Sequence, residues 1–118
     1  MIGIRGAIAS VENSEDSILE SSKILFNTLL EKNNLSVTKI VSVIFTVTKD
    51  LNTAFPAKAI RDLGYDKISA LDTLAPDVDG DLLGCIRILV IYEDQFDPNH
   101  VYLGCLLYTS PSPRDLRA

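Results

Sequence analysis

Apolar and polar positions along the chain follow two rhythms. Residues 2–9 alternate apolar with small or charged side chains, the two-residue period of a strand, and Gly3 and Gly6 within them point to close backbone approach. The period then lengthens. Ile18, Leu19, Leu25, Phe26, Leu29 and Leu30 fall on one face of a helix. Asn13 or Ser14 can cap that helix, Glu15 and Asp16 complement its positive end, and Lys32, Asn33 and Asn34 stop it. Residues 41–48, VSVIFTVT, are β-branched enough for an interior strand. After a loop over residues 49–52, Pro56 suits the first turn of a short helix and Gly64 the position past its end. Residues 67–71 predict a short strand, and residues 72–81, with a Pro, a Gly and four Asp, a loop. The run CIRILVIY, residues 85–92, reads as a buried strand, DQFDPNH as a turn, and residues 101 to about 107 as a last strand. The predicted order is β-α-β-α-β-β-β, with no internal repeat.

Arg87 breaks the pattern. It stands third in CIRILVIY, between Ile86 and Ile88. A buried guanidinium without a partner is very costly, so Arg87 must meet a carboxylate, another acceptor or a ligand. The chain offers 16 Asp and Glu against five Arg, and a strand arginine is commonly half of a salt bridge or a snorkelling edge residue. Arg5 and Arg61 fit that plain reading. For Arg87, a ligand competes with it, because its neighbours are uniformly apolar. If Arg5 and Arg87 face one cleft, they form a site for a small molecule with more than one carboxylate, since guanidinium binds carboxylate bidentately and keeps its charge. Lys58 and Arg61, three apart on the short helix, share a face. Taken alone, Lys58 reads as a solvated helix residue, Phe55 as core, and Tyr102 as core with its hydroxyl at a rim.

Composition narrows the options. At 118 residues the chain makes one domain, 47% hydrophobic and 23% charged. A net charge of −5 disfavours nucleic acid as the main partner, which requires a basic face. No apolar run approaches the ~20 residues of a membrane-spanning helix, and MIGIRGAIAS lacks the plan of a signal peptide. Cys85 in an apolar strand reads as a buried free thiol, and a cytoplasmic protein with reduced cysteines is expected. One histidine, His100, and no C-x-x-C give no metal site, and DVDGD lacks the remainder of a calcium loop. Nucleophile elbows, P-loops and G-x-G-x-x-G are absent, and Cys85 has no nearby base.

Four ordered segments carry a resemblance: GIRGAI (3–8), VIFTVTKDLNTAFPAKAIRDLG (43–64), DVDGDLLGCIRILV (77–90) and HVYL (100–103). Over about residues 1–104 the chain resembles the monofunctional chorismate mutases of the AroH class. The resemblance implies an α+β fold, a mixed sheet with two helices on one face, in the pseudo-barrel trimer also used by Rid-type proteins. It implies active sites in clefts between subunits of a homotrimer, rearrangement of the dianion chorismate to prephenate in phenylalanine and tyrosine biosynthesis, and neither cofactor nor metal. Arg87 matches the family arginine beside the breaking ether bond, Arg5 one that holds a substrate carboxylate, and Tyr102 a hydrogen-bonding tyrosine at the same end. Phe55, Ala57 and Lys58 match the stretch lining the cleft from the neighbouring subunit, Arg61 an arginine near its entrance. Leu71 and Asp72 fall where the family uses a loop to contact the substrate ring and its hydroxyl.

Two departures stand out. Many members carry a glutamate where this chain has Ala75, so either Asp72 takes its role or the contact is lost. Past HVYL the family continues with a Leu-Arg-Pro-Asp-Leu segment whose arginine helps close the site. Here the chain reads GCLLYTSPSPRDLRA, whose last ten residues, TSPSPRDLRA, have no periodicity and no apolar face, and residues 105–118 are expected to be an extended or disordered tail foreign to the domain. Two other functions compete: a non-catalytic trimer that binds a carboxylated metabolite, and an imine deaminase of Rid type.

Overall fold

The computed structural model describes residues 1–104. The tail expected over residues 105–118, the end of the last predicted strand and Cys105 lie outside them. Five strands form one mixed sheet: β1 (Ile2–Ile8), β2 (Ile40–Val47), β3 (Ser69–Leu74), β4 (Ile86–Tyr92) and β5 (Val101–Leu103). Their order across the sheet is β3-β2-β4-β1-β5. β4 runs antiparallel to both β1 and β2, whereas β2–β3 and β1–β5 are parallel pairs. The strand that carries Arg87 is therefore the centre of the sheet and the only one of reversed direction among the described strands.

Two helices, α1 (Glu15–Lys32) and α2 (Ala57–Asp62), cover one face. Of the two candidate caps, Ser14 serves, its side chain accepting from Ser17 N. Ile18, Leu19, Leu25, Phe26 and Leu29 of α1 are buried as the spacing predicts. Ile18, Leu25, Phe26 and Leu29 meet Ile4 of β1, Val43 and Phe45 of β2, and Ile86, Ile88 and Val90 of β4 in one core. Gly6 makes this possible. A Cβ there would stand 3.1 Å from Ile88 Cγ2, 3.1 Å from Leu25 Cδ1 and 3.2 Å from Leu29 Cδ1, so its absence lets α1 approach the sheet.

Three features differ from the sequence-based expectation. A 3₁₀ turn, Val37–Lys39, precedes β2. β2 begins one residue early, with a register irregularity between Ile40 and Ser42 that turns Val41 outward. β3 spans Ser69–Leu74 rather than 67–71, so Asp72 belongs to a strand and not to the predicted loop. The cause is pairing: Asp72 lies opposite Phe45 and Thr73 opposite Thr46, and the ladder from β2 outweighs the low strand propensity of aspartate.

Candidate active site

Strand alternation sorts β4 into two sets. Ile86, Ile88, Val90 and Tyr92 are buried beneath the helices, while Arg87, Leu89 and Ile91 lie half-buried on the opposite, helix-free face. In register, Arg87 is opposite Ala7 of β1, and Ala7 is opposite Tyr102 of β5. Arg5, opposite Leu89, is a diagonal neighbour of Arg87 on the same face. Diagonal pairs stand roughly 7–8 Å apart, within reach of long side chains. Arg5, Arg87 and Tyr102 thus surround Ala7, whose methyl group forms the floor between them.

No described carboxylate forms an ion pair with these arginines. The ion pairs among the described residues are Lys39–Asp94, Lys49–Asp77 and Lys58–Asp62. The salt-bridge option for Arg87 therefore fails there, and so does the plain reading of Arg5. The start of β4 is held by a polar clamp. Thr48 N donates to Cys85 O (3.1 Å), Cys85 N donates to Thr48 Oγ1 (3.1 Å), and that hydroxyl donates to Asp50 Oδ1 (2.6 Å). Gly84 N donates to Asp50 Oδ2 at 3.0 Å. Burial raises the Asp50 pKa, but the Thr48 hydroxyl and the Gly84 amide more than offset it, and the carboxyl lies below its ordinary value. Cys85 is a buried free thiol, as expected, with its pKa pushed up by burial.

The other predicted residues gather elsewhere. Phe55, Lys58 and Asp72 line a cavity of about 490 Å³ with Val47, Leu51 and Leu74, at the β3 edge beside α2. Phe55 is 70% exposed, so it is not the core residue that its apolarity alone indicates. Its loop is fastened by Asn13, whose Oδ1 accepts from Asn52 N and Thr53 Oγ1, each at 2.9 Å. Asp72 points to the helix side and accepts from Ala57 N at 2.8 Å, which ties β3 to the start of α2. Burial raises its pKa against the Ala57 bond and the nearby Arg61 charge. Ala57 is buried; Lys58 is exposed and paired with Asp62 at 3.1 Å. Leu71, 62% exposed, faces away from the helices. Ala75 is buried, its N–H bonded to Val47 O at 2.8 Å.

Two half-sites result. One is the Arg5–Arg87–Tyr102 cluster on the bare face toward β5, and the other is the Phe55–Asp72 cavity at the β3 edge. The two lie on opposite faces of the sheet, and Arg87 is two strand spacings, roughly 10 Å, from β3. Sequence patterns missed Asn13, Asp50 and His100, the last of which accepts from Arg5 N at 3.0 Å through Nδ1. The proximity of turn-forming residues to a strand end was the only signal available for them. Among the described residues no helix is long and apolar enough to cross a membrane.

Residues 1–106 match the family described as chorismate mutase type I. The chain is 38% identical to chorismate mutase AroH of Thermus thermophilus over 105 residues, covering 86% of each chain. It is 33% identical to chorismate mutase AroH of Bacillus subtilis over 115 residues, covering 92% of this chain and 89% of that one. The solved chorismate mutase from Clostridium thermocellum superposes with a TM-score of 0.84 at 38% identity, covering 88% of this chain and 96% of the other.

Proposed function

The chain belongs to the type I chorismate mutase family and carries out that family's reaction, chorismate to prephenate, and we propose that it does so at sites shared between neighbouring subunits of a homotrimer, with Arg87 as the electrostatic catalyst. The observation that carries this is Arg87 itself. It is a guanidinium fixed in the central strand, on a bare face, with no carboxylate partner among the described residues.

The reaction needs nothing else of that position. In one intramolecular step an ether C–O bond breaks as a C–C bond forms, and no atom or electron leaves the substrate. Negative charge grows on the ether oxygen in the transition state. A cation already in place there is worth more to the transition state than to the ground state, which raises kcat. Arg5, beside it, takes a substrate carboxylate as a bidentate pair, and Tyr102, across Ala7, supplies a hydrogen bond at the same end. The remainder is confinement of a flexible substrate in its compact conformer.

Confinement is where the second subunit enters. A single-ring dianion cannot touch both clusters of one chain, because one lies on the helix-free face and the other at the β3 edge beside α2. If the β3 edge of one copy abuts the bare face of the next, Phe55, Lys58 and Leu71 close over Arg5 and Arg87, with Arg61 at the entrance, Ala57 behind them as buried support, and Asp72 beneath the ring. Such a contact is head-to-tail, and three copies close it into a ring. Exposed Phe55, Leu71 and Leu74 would then be covered, and edge strand β3 shielded. A cytoplasmic location accords with this metabolic role.

The test is loss of chorismate absorbance with the protein and with Arg87→Ala. The expected outcome is turnover whose kcat falls at least 10²–10³-fold in the variant, the scale set by removal of one transition-state donor. An imine deaminase or a non-catalytic binder would leave chorismate unchanged in both, and equal turnover in both would remove Arg87 from the mechanism.

A further inference from the structure

β5 pairs with β1 from Val101, opposite Gly6, onward. Arg5 lies one residue before that stretch, and its backbone N–H is taken by a side chain: Nδ1 of His100 accepts it at 3.0 Å. An imidazole that accepts at Nδ1 carries its one proton on Nε2. The bond therefore exists only for the neutral ring, because a protonated ring presents N–H to N–H.

The residue before the ring is itself held. Asn33, the C-cap of α1, donates through Nδ2 to Asn99 O (2.8 Å) and accepts from Asn99 N (2.7 Å) at Oδ1. Asn99 Nδ2 returns a bond to Lys32 O at 3.2 Å. The end of the long helix thus fixes the residue before His100. The charged and titratable groups around the ring are Arg5 on β1, Lys32 at the end of α1 and Tyr102 on its own strand, and no described carboxylate lines the cavity that His100 shares with Lys32 and Tyr102. Burial first, and then the Arg5 charge, hold the imidazole below its ordinary pKa, so it is neutral at physiological pH.

We propose that His100 is a positioning residue that, as its Nε2-protonated tautomer, anchors the backbone of Arg5 so that the guanidinium meets the substrate carboxylate. The proposal rests on the reading that Arg5 binds that carboxylate. Acid then weakens substrate capture: protonation breaks the anchor and leaves the Arg87 charge in place, so KM changes and kcat does not.

The experiment is steady-state chorismate turnover from pH 5 to 8 for the parent protein, His100→Asn, His100→Leu and Arg5→Ala. Asparagine offers an acceptor near the Nδ1 position and does not titrate. The expected result is a parent KM that rises about tenfold as pH falls through the His100 pKa, and a His100→Asn KM that stays level. His100→Leu raises KM about tenfold at pH 8, with kcat within twofold. A His100→Asn profile that overlays the parent's, or a His100→Leu KM equal to the parent's at pH 8, overturns the proposal. Arg5→Ala separates the two ideas. An unchanged KM in that variant sinks the carboxylate reading itself, whereas a raised one with indifferent His100 variants sinks only the anchor. Should His100→Leu fail to fold, the amide proton shift of Arg5 in the parent decides. It must titrate with the imidazole and stop doing so in His100→Asn, and a flat shift refutes the anchor.

Discussion

Asp50 is the residue through which the site's geometry and the fold's stability can be tested together. Its carboxylate is the shared acceptor for two donors, the Thr48 hydroxyl at 2.6 Å and the Gly84 amide at 3.0 Å. Thr48 in turn is buried and grips Cys85, two residues before Arg87. Hydrogen bonds to a charged group contribute ~1.5–3 kcal/mol each. Asp50 is half-exposed, and solvent screening cuts that about in half. Asp50→Ala is therefore expected to cost about 2 kcal/mol, and Asp50→Asn, which keeps a neutral acceptor, about 1 kcal/mol. With an m-value of ~1–3 kcal/mol per molar urea, the alanine variant moves the midpoint down by about 1 M at equal protein concentration. The pH dependence has a definite sign. A carboxyl depressed below 3.8 in the folded state contributes its stabilisation in full above that value and loses it as pH falls through the folded pKa. That acid-limb decline should flatten in Asp50→Asn. Because β4 starts at this clamp, a loosened start misplaces Arg87, and kcat is expected to fall about tenfold with KM little changed. Asp50→Ala with a midpoint equivalent to within ~0.5 kcal/mol of the parent, and an unchanged kcat, would refute the clamp.

Three other outcomes follow from the same geometry. Mixing Arg87→Ala with Lys58→Ala, each impaired alone, should restore about a quarter of the activity at low substrate, since random assembly into rings gives that fraction of interfaces two intact halves; no restoration would place both residues in one subunit's site. Gly6→Ala is expected to lower stability by about 1 kcal/mol, the steric cost against Leu25, Leu29 and Ile88 exceeding the backbone gain, and a raised urea midpoint would show that α1 is looser than these contacts indicate. Asp72 has a raised pKa, so its charge opposes folding above that pKa and the penalty vanishes below 3.8; Asp72→Asn should raise the urea midpoint at pH 7 and leave it unchanged at pH 3, and equal shifts at both would assign the effect to packing instead.

Periodic elements were legible in the sequence because a buried face imposes a period. The α1 stripe, the alternation in β1 and the apolar run around Arg87 all appear where the pattern puts them. β3 was displaced because its end is dictated by a partner strand far away in sequence. Asp72 has poor strand propensity, yet it pairs with Phe45, and its carboxylate is satisfied by the amide that opens α2. Nothing local announces either fact. Phe55 misled in the opposite sense. Apolarity implies burial, but a residue that lines an edge cavity is exposed in the single chain. Likewise, 16 acids left a salt bridge open for Arg87, and none of the described ones pairs with it. The polar residues Asn13, Asp50 and His100 fix backbone in loops or at strand ends, where no period exists to reveal them.

The distribution of these residues carries an argument about how the site is built. The arginines proposed to meet the substrate's reacting end sit on β1 and β4, interior strands whose backbone is fixed from both sides by the sheet's ladder or by the His100 anchor. Every group proposed to enclose the substrate sits on β3, on α2 or in the loop before it, at one edge of the sheet. Electrostatic catalysis requires a donor that does not reorganise as charge develops, and a central strand provides it. Confinement requires a wall that can admit and release a ligand, and a subunit edge provides that. A single chain of this size could rigidify its centre or open its edge, but it could not put the two face to face. In the proposed ring, the rigid centre of one copy would meet the adaptable edge of the next. On that logic, stabilising substitutions on β4 should leave turnover intact, whereas those that stiffen the Phe55 loop should slow product release.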